Sequence, residues 1–452
     1  MRKVILSILA LHFACNGSPL ETGTNNDNVK VEYAIAVGVT QTAATILWKC
    51  SSKSVGLVLF GRAGVEGAVH SISPSVDQAV VLSNLKPETN YAFQAFCGDP
   101  SNAKLIFPQT FRTMDSSVRN RGIWILGGLA AANQPIAEVD LYDPVNDVWF
   151  TDVTRVPTPR AFAQILAHKG KIYVLGGMTR NAGIFVPSTI AEEYDPVLDS
   201  WRTLASLPTA LQGGIAGSSG DEIFLLGGTT TTDMTTGTLA NTVYKLAPFI
   251  GPTGAWTSFT SSNSIFQRVD MAGCDIDGSI FFTGGRLFSD GSAQSTSDAF
   301  LPANNSTSAL IEANINVARH GSAYACYRPS PTDANPTDPP ALLVIGGSVT
   351  ANVQQPATSI TTTNSYDYYR TGGPTNTFVA GPVLPQALYM ASAEISYEKR
   401  RLFVFGGSSS VNSPGSSIFS IDLANPVAGP WTTLTTSMPR GRYGHKAVVI
   451  NR

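Results

Sequence analysis

At 452 residues the chain is long enough for two or more domains. Charged residues make up only 14% and the formal net charge is -2, so there is no basic field for nucleic acid and no acidic tail. Ser, Thr, Gly, Asn and Pro fill the difference, which suits an all-β, loop-rich protein handled outside the cytosol.

The N-terminal stretch is MRKVILSILALHFACNGSP. Arg2 and Lys3 form a charged start, Val4 to Ala14 a short apolar run, and Cys15 follows. The run is too short to span a bilayer and reads as an export signal. It resembles a bacterial lipoprotein signal, in which the cysteine becomes the lipid-bearing first residue, although Leu11 lies four before Cys15 rather than three. The resemblance implies a signal over 1–15, lipidation at Cys15 and membrane attachment through that lipid. It also implies an outer-membrane, cell-surface or periplasmic location. Plain cleavage nearby and an uncleaved Cys15 are the alternatives. Residues 16–29 are small and polar and read as a flexible tether.

From 30 to about 115 short alternating runs, ATILWKC, VGLVLFG, AVVLSNL and YAFQAFCG, are bounded by Gly, Ser, Pro or Asn, the pattern of a β-sandwich. Trp48 in TAATILWKC and Tyr91 in LSNLKPETNYAFQAF resemble the core Trp and the tyrosine-corner residue of a fibronectin type III domain. Cys50 shares a strand face with Trp48, and Cys97 shares one with Tyr91 and Phe93. In that family these strands lie in facing sheets and run the same way, which implies either a cross-sheet disulfide Cys50–Cys97 or two buried thiols. Such domains space or bind, and nothing in the segment reads as catalytic. No Cys/His cluster in the chain has metal-ligand spacing, so no metal is expected.

The remainder repeats. Six apolar runs end in a glycine pair: GIWILGG, KIYVLGG, EIFLLGG, SIFFTGG, ALLVIGG and RLFVFGG. A polar loop and an aromatic follow each pair: Tyr142, Tyr194, Tyr244, Phe300, Tyr366 and Phe419. Trp149, Trp201, Trp256 and Trp431 come next in four repeats, and Phe378 stands in for the tryptophan in the fifth. A short strand leads into each apolar run, beginning at Arg160, Leu211, Arg268, Arg319, Leu388 and Arg442. A period near 50 with this content resembles the kelch repeat, whose best-known setting is the central domain of galactose oxidase. The expected architecture is a six-bladed kelch-type β-propeller over 121–452 after an N-terminal fibronectin III/immunoglobulin-like sandwich, all-β throughout. The first repeat lacks its leading strand and the last strand has no repeat after it. The segment 440–451, with Ala447 to Ile450 as its paired core, is therefore expected to complete the first blade and remove two open sheet edges.

The aligned arginines Arg160, Arg268, Arg319 and Arg442 are the foremost candidates for a ligand-binding ring that grips a carboxylate or phosphate. Because they recur with the repeat, a role in tying blades together is the favoured reading. His320 and His445 also lie on leading strands, at non-equivalent positions expected to face different sides. His168 falls at a hairpin turn and is expected to be exposed. Cys274 and Cys326, on the leading strands of the fourth and fifth repeats, read as buried fillers in preference to a disulfide or a radical cofactor, and their redox state stays open. The copper set of galactose oxidase is not matched, and that family has seven blades, so no cofactor is expected. Acid candidates are Glu192, Glu193 and Glu394. The expected function is non-enzymatic: a protein or glycan ligand bound at the cell envelope, with no nucleic-acid partner. The alternative follows a similarity of organisation to the sialic-acid mutarotases, a carbohydrate-active enzyme using the propeller channel.

Overall fold

A computed structural model of the protein describes residues 29–98, 109–232, 242–260, 267–276, 278–287, 290–308, 314–328, 339–351, 359–370 and 377–450. The expected signal, Cys15 and nearly all of the tether lie outside these residues, as does most of the Thr-rich loop after Gly228. The chain forms two compact units that divide between Asp115 and Ser116.

In the first unit, Val31–Val37, Ala44–Ser54 and Ser75–Leu82 form a three-stranded antiparallel sheet. Gly67–His70, Gly56–Gly61, Asn90–Cys97 and Gln109–Arg112 form a four-stranded one. Period-2 alternation buries Ala44, Ile46, Trp48 and Cys50 on one face of their strand. The Trp48 indole donates to the Phe96 carbonyl at 3.2 Å. The Cys50–Cys97 disulfide joins the two sheets across a Cα separation of 5.8 Å. The Tyr91 hydroxyl accepts the Lys86 backbone N–H at 3.0 Å, locking the turn before its own strand.

The second unit consists mainly of six four-stranded antiparallel sheets, the blades of a propeller. Blade 1 is built from both ends of the unit. Tyr443–Val449 pairs with Ile123–Leu129, followed outward by Glu138–Asp143 and Val148–Arg155. Blades 2 to 6 begin with Gln164–His168, Ile215–Ser219, Ala272–Ile276, Ala323–Tyr327 and Ser392–Ser396. These leading strands neighbour one another in a closed cycle with Tyr443–Val449, so they surround the axis. Apolar clusters fill the gaps between blades; one gathers Tyr142, Phe403, Phe405 and Ala447 from blades 1 and 6.

Each glycine pair follows a second strand directly, or in blade 1 lies within its last residues, and both its glycines take positive φ, 66° and 91° at Gly127 and Gly128. A side chain at Gly128 would collide with the Tyr443 carbonyl and with His445. The second glycine of each pair donates its N–H to the carbonyl of the next blade's leading residue. These bonds run from Gly128 to Arg160 (3.1 Å), Gly177 to Leu211 (2.7 Å) and Gly228 to Arg268 (3.0 Å). They continue from Gly285 to Arg319 (2.9 Å), Gly347 to Leu388 (2.6 Å) and Gly407 to Arg442 (2.9 Å), closing the ring.

Sheet register corrects three of the aromatic assignments. Tyr142 and Tyr194 pair with Ile123 and Ile172, four residues before the first glycine of each pair. The equivalent partners are Leu246 opposite Ile223, Tyr369 opposite Leu342 and Ile421 opposite Leu402, rather than Tyr244, Tyr366 and Phe419. An aromatic two or three residues away mimics the repeat position because these strands carry several apolar residues. Phe378 packs 5.2 Å from Tyr369, in the place a tryptophan takes beside Tyr142 and Tyr194.

Candidate functional site

The four arginines lie inside the blades, between 0% and 5% exposed. Each meets an acid on the third strand of its own blade: Arg160–Glu192 at 2.5 Å, Arg268–Asp298 at 2.6 Å, Arg319–Asp367 at 2.5 Å and Arg442–Asp140 at 2.6 Å. Each also donates to a second-strand carbonyl, of Val174, Gly284, Val344 and Gly127 respectively. Burial pulls Arg442 down to about 10, against the rise from Asp140, and it stays cationic near neutrality. Blades 3 and 6 carry Leu211 and Leu388 instead. The acid position is then held by Tyr244 and Phe419, opposite Leu225 and Val404. Each leucine shares an apolar cluster with its aromatic. Ion pair and apolar pair are thus alternative fillings of one slot, and each arginine is engaged within its own blade.

Two residues beyond each leading residue the chain makes a feature with no obvious sequence signature. Phe162, Gly213, Asp270, Gly321, Met390 and Gly444 all have φ between 50° and 68°. Their backbones form a closed ring of hydrogen bonds around the axis. Phe162 N–H donates to Gly444 (2.9 Å), Gly213 to Phe162 (3.1 Å) and Asp270 to Gly213 (2.7 Å). Gly321 donates to Asp270 (2.8 Å), Met390 to Gly321 (2.8 Å) and Gly444 to Met390 (2.9 Å). Glycine at alternate positions makes room for the larger residues; the Phe162 ring covers the place of a Gly444 side chain. This alternation is the signal a repeat alignment could have used.

The ring rims an axial cavity of about 80 Å³ that all six blades line. Asp270 sits on the rim in the left-handed conformation, a backbone strain that clusters at functional sites. It pairs with buried Arg286 at 2.9 Å, and His320 Nδ1 lies 3.8 Å from the same carboxylate. His320 Nε2 meets the Thr350 carbonyl at 2.8 Å. Burial first, then Arg286, pushes His320 down to about 4, so it is neutral near pH 7. His445 is on the cavity wall, held well below its usual range by burial and then by Arg442 and Lys446. The Lys446 ammonium lies 3.4 Å from the centroid of the Tyr324 ring, across the cavity from blade 1 to blade 5. His320 and His445 therefore occupy different surroundings, and among the described residues no group of three His, Cys, Asp or Glu could hold a metal.

Other sequence candidates settle elsewhere. His168 is buried at 6% exposure, not exposed, because Tyr173 and Phe249 pack 6.1 and 6.0 Å from it. Cys274 and Cys326 are not fillers. They form a disulfide between the leading strands of blades 4 and 5, which run side by side. They sit 52 residues apart in successive repeats, and the closing of the ring brings them together. Glu193 is neutralised by Lys171 and Arg202, and Glu394 accepts the N–H groups of Ile395 and Val449.

The loop after Gly177 rises on the ring side as a two-stranded hairpin, Met178–Asn181 with Ile184–Pro187. Arg180 braces it by stacking on Phe185 at 5.5 Å and donating to the Ala132 carbonyl of blade 1 at 3.1 Å. Ile184 and Val186 are 67% and 41% exposed. Beside it an open groove of about 570 Å³ runs along Pro135, Pro159, Thr179 and Arg180.

Residues 159–208 match the family model for the Kelch motif, from the proline before Arg160 to the end of blade 2. Blade 2 thus carries a Kelch motif. An F-box/kelch-repeat protein of Arabidopsis thaliana is 28% identical over 148 residues, 32% of this chain and 28% of that protein. Alpha-scruin of Limulus polyphemus is 27% identical over 115 residues, 25% of this chain and 12% of that protein. Kelch-like protein 41b of Danio rerio is 28% identical over 109 residues, 24% of this chain and 17% of that protein. The chain thus spans less than a third of the length of these relatives. Among solved structures, that of YjhT superposes with a TM-score of 0.48 at 12% identity, covering 68% of this chain and 99% of that one.

Proposed function

We propose that this kelch-repeat protein is a non-catalytic binding module at the cell envelope, exported, lipid-anchored at Cys15 and engaging a protein or glycan partner at the ring-side mouth of its propeller. The observation that carries the reading is the blade 2 hairpin. It is braced by Arg180, yet it presents Ile184 and Val186 to solvent beside an open groove. Rigid scaffolds use projecting loops of this kind to dock partners. The arginines that would make the mouth a catalytic or anion-gripping centre are consumed inside the blades. Disulfides in both units support an oxidising, extracytosolic compartment. The locked Tyr91 turn and buried Trp48 support a fibronectin III-like spacer between anchor and propeller.

The test is a glycan and surface-protein binding array with the native chain and with an Ile184→Asp/Val186→Asp protein. Binding by the native chain that drops at least tenfold in the variant is expected. No binding at all, or equal binding by both, overturns the reading. Mass spectrometry of the native N-terminus should find Cys15 lipidated; an unmodified terminus removes the anchor. No mutarotation of sialic acid or galactose is expected, and turnover of either would favour the enzyme.

A further inference from the structure

The blade 2 hairpin carries a sheet edge that is left open towards the groove. Its two-residue turn puts Asn181 opposite Ile184, so Thr179 faces Val186 and Arg180 faces Phe185. Hydrogen-bonded and non-bonded pairs alternate along an antiparallel ladder. The Met178 N–H and carbonyl bond outward, to the Ala161 carbonyl and N–H at 2.7 and 3.1 Å. The backbone N–H and carbonyl of Arg180, two residues on, point to that same outer side. Continuing the ladder beyond Ala161 brings Pro159 opposite Arg180, and a proline has no N–H to give. The pairing stops there, and the groove of about 570 Å³ opens among Thr179, Arg180, Pro159 and Pro135. The hairpin's opposite edge is closed to a further strand. Pro187 lacks an N–H, and the Ser188 carbonyl accepts the Leu211 N–H at 3.2 Å.

The same residues set what fits. Cross-strand partners share a face, so Arg180 and Phe185 lie on one side of the hairpin and Thr179, Val186, Asn181 and Ile184 on the other. A peptide residue exchanging both hydrogen bonds with Arg180 puts its side chain on the Arg180 side. Its two neighbours then extend the exposed face of Ile184 and Val186. The Arg180 guanidinium donates to the carbonyls of Gly183, Ala132 and Asn133 and stacks on Phe185. None of these partners is a carboxylate, so an acidic side chain on the incoming segment supplies a counter-charge. No aromatic ring lines the groove for a sugar to stack on. We propose, resting on the binding role given above, that the groove takes an extended peptide segment as an added strand on the Arg180 edge, with an Asp or Glu facing Arg180 between two apolar residues.

The experiment titrates the full chain with pools of blocked pentapeptides and follows the Arg180 amide by ¹H–¹⁵N NMR. The pools carry Val, Thr or Tyr at the outer positions and Glu, Gln, Lys or N-methyl-Glu at the centre. Arg180 also braces the hairpin, so the substitutions are made in the peptide. Saturable binding of the Glu pool is expected, with amide exchange at Arg180 slowed at least tenfold. The Gln and Lys pools lack the charge, and the N-methyl-Glu pool lacks the N–H that the Arg180 carbonyl accepts. Each should bind at least tenfold more weakly. No saturable binding of the Glu pool, equal binding of any other pool, or unchanged exchange at Arg180 overturns the proposal. A glycan or protein whose array binding depends on Ile184 and Val186 while the Glu pool fails leaves the docking role standing and removes only the added strand. Failure of both removes both.

Discussion

Arg268 and Asp298 sit 2.6 Å apart in blade 4, and Leu211 with Tyr244 fills the same slot in blade 3. Breaking a buried pair by removing one partner leaves an uncompensated charge and costs about 3–5 kcal/mol, whereas replacing both by apolar groups is close to neutral. Arg268→Leu should therefore lower the denaturant midpoint by that amount of stability. Arg268→Leu/Asp298→Tyr should recover most of it, as read from a double-mutant cycle. His320 makes a second prediction. Its pKa is about 4 when folded, and an unfolded imidazole titrates near 6.5. The unfolded chain takes up the proton first, so stability is full above about pH 6.5 and falls as pH drops towards 4, by roughly 3 kcal/mol. His445, lowered in the same way, adds to the slope. Chemical unfolding at pH 7 and pH 4.5 should show the loss, and a His320→Gln protein should show less of it.

Between residues and blades, short elements carry the connections. The glycine pairs end one strand and bond to the next blade in a single step, a role their recurrence in six apolar runs already announced. The backbone ring two residues beyond each leading residue was not announced. It needs positive φ at Phe162, Asp270 and Met390 as well as at three glycines, and only the glycines at alternate blades leave a trace of it in the aligned repeats. The Cys274–Cys326 link belongs to this scale too, tying the leading strands of blades 4 and 5. Cross-links that close loops of this length contribute about 2–4 kcal/mol, chiefly by restricting the unfolded chain. A Cys274→Ser/Cys326→Ser protein should melt correspondingly lower under oxidising conditions. In 1 mM dithiothreitol the gap to wild type should shrink as the native bond is reduced.

Across the whole molecule the order Arg, Arg, Leu at the leading residues of blades 1 to 3 repeats in blades 4 to 6. Closure rests on Tyr443–Val449, which pairs with Ile123–Leu129 and also reaches blade 6. Ala447 N–H donates to Ser392 Oγ at 2.7 Å, and Gly407 N–H to the Arg442 carbonyl at 2.9 Å. Removing 440–452 strips blade 1 of its inner strand and exposes the cluster around Ile123, Ile125 and Phe405. Such a protein should aggregate or lose its cooperative melt, and unchanged melting would refute this account of closure. The sequence by itself determined the repeat count, the blade strands and the closing segment, because periodic apolar runs and glycine pairs are local signals that each strand must carry. It also made the arginines suspect as architecture, through their recurrence. Only the tertiary structure decided that each arginine meets an acid in its own blade, that Cys274 reaches Cys326, and that Arg180 of the blade 2 hairpin reaches blade 1. Those relations join residues far apart in the chain, and the curvature of the ring, not spacing, brings them together.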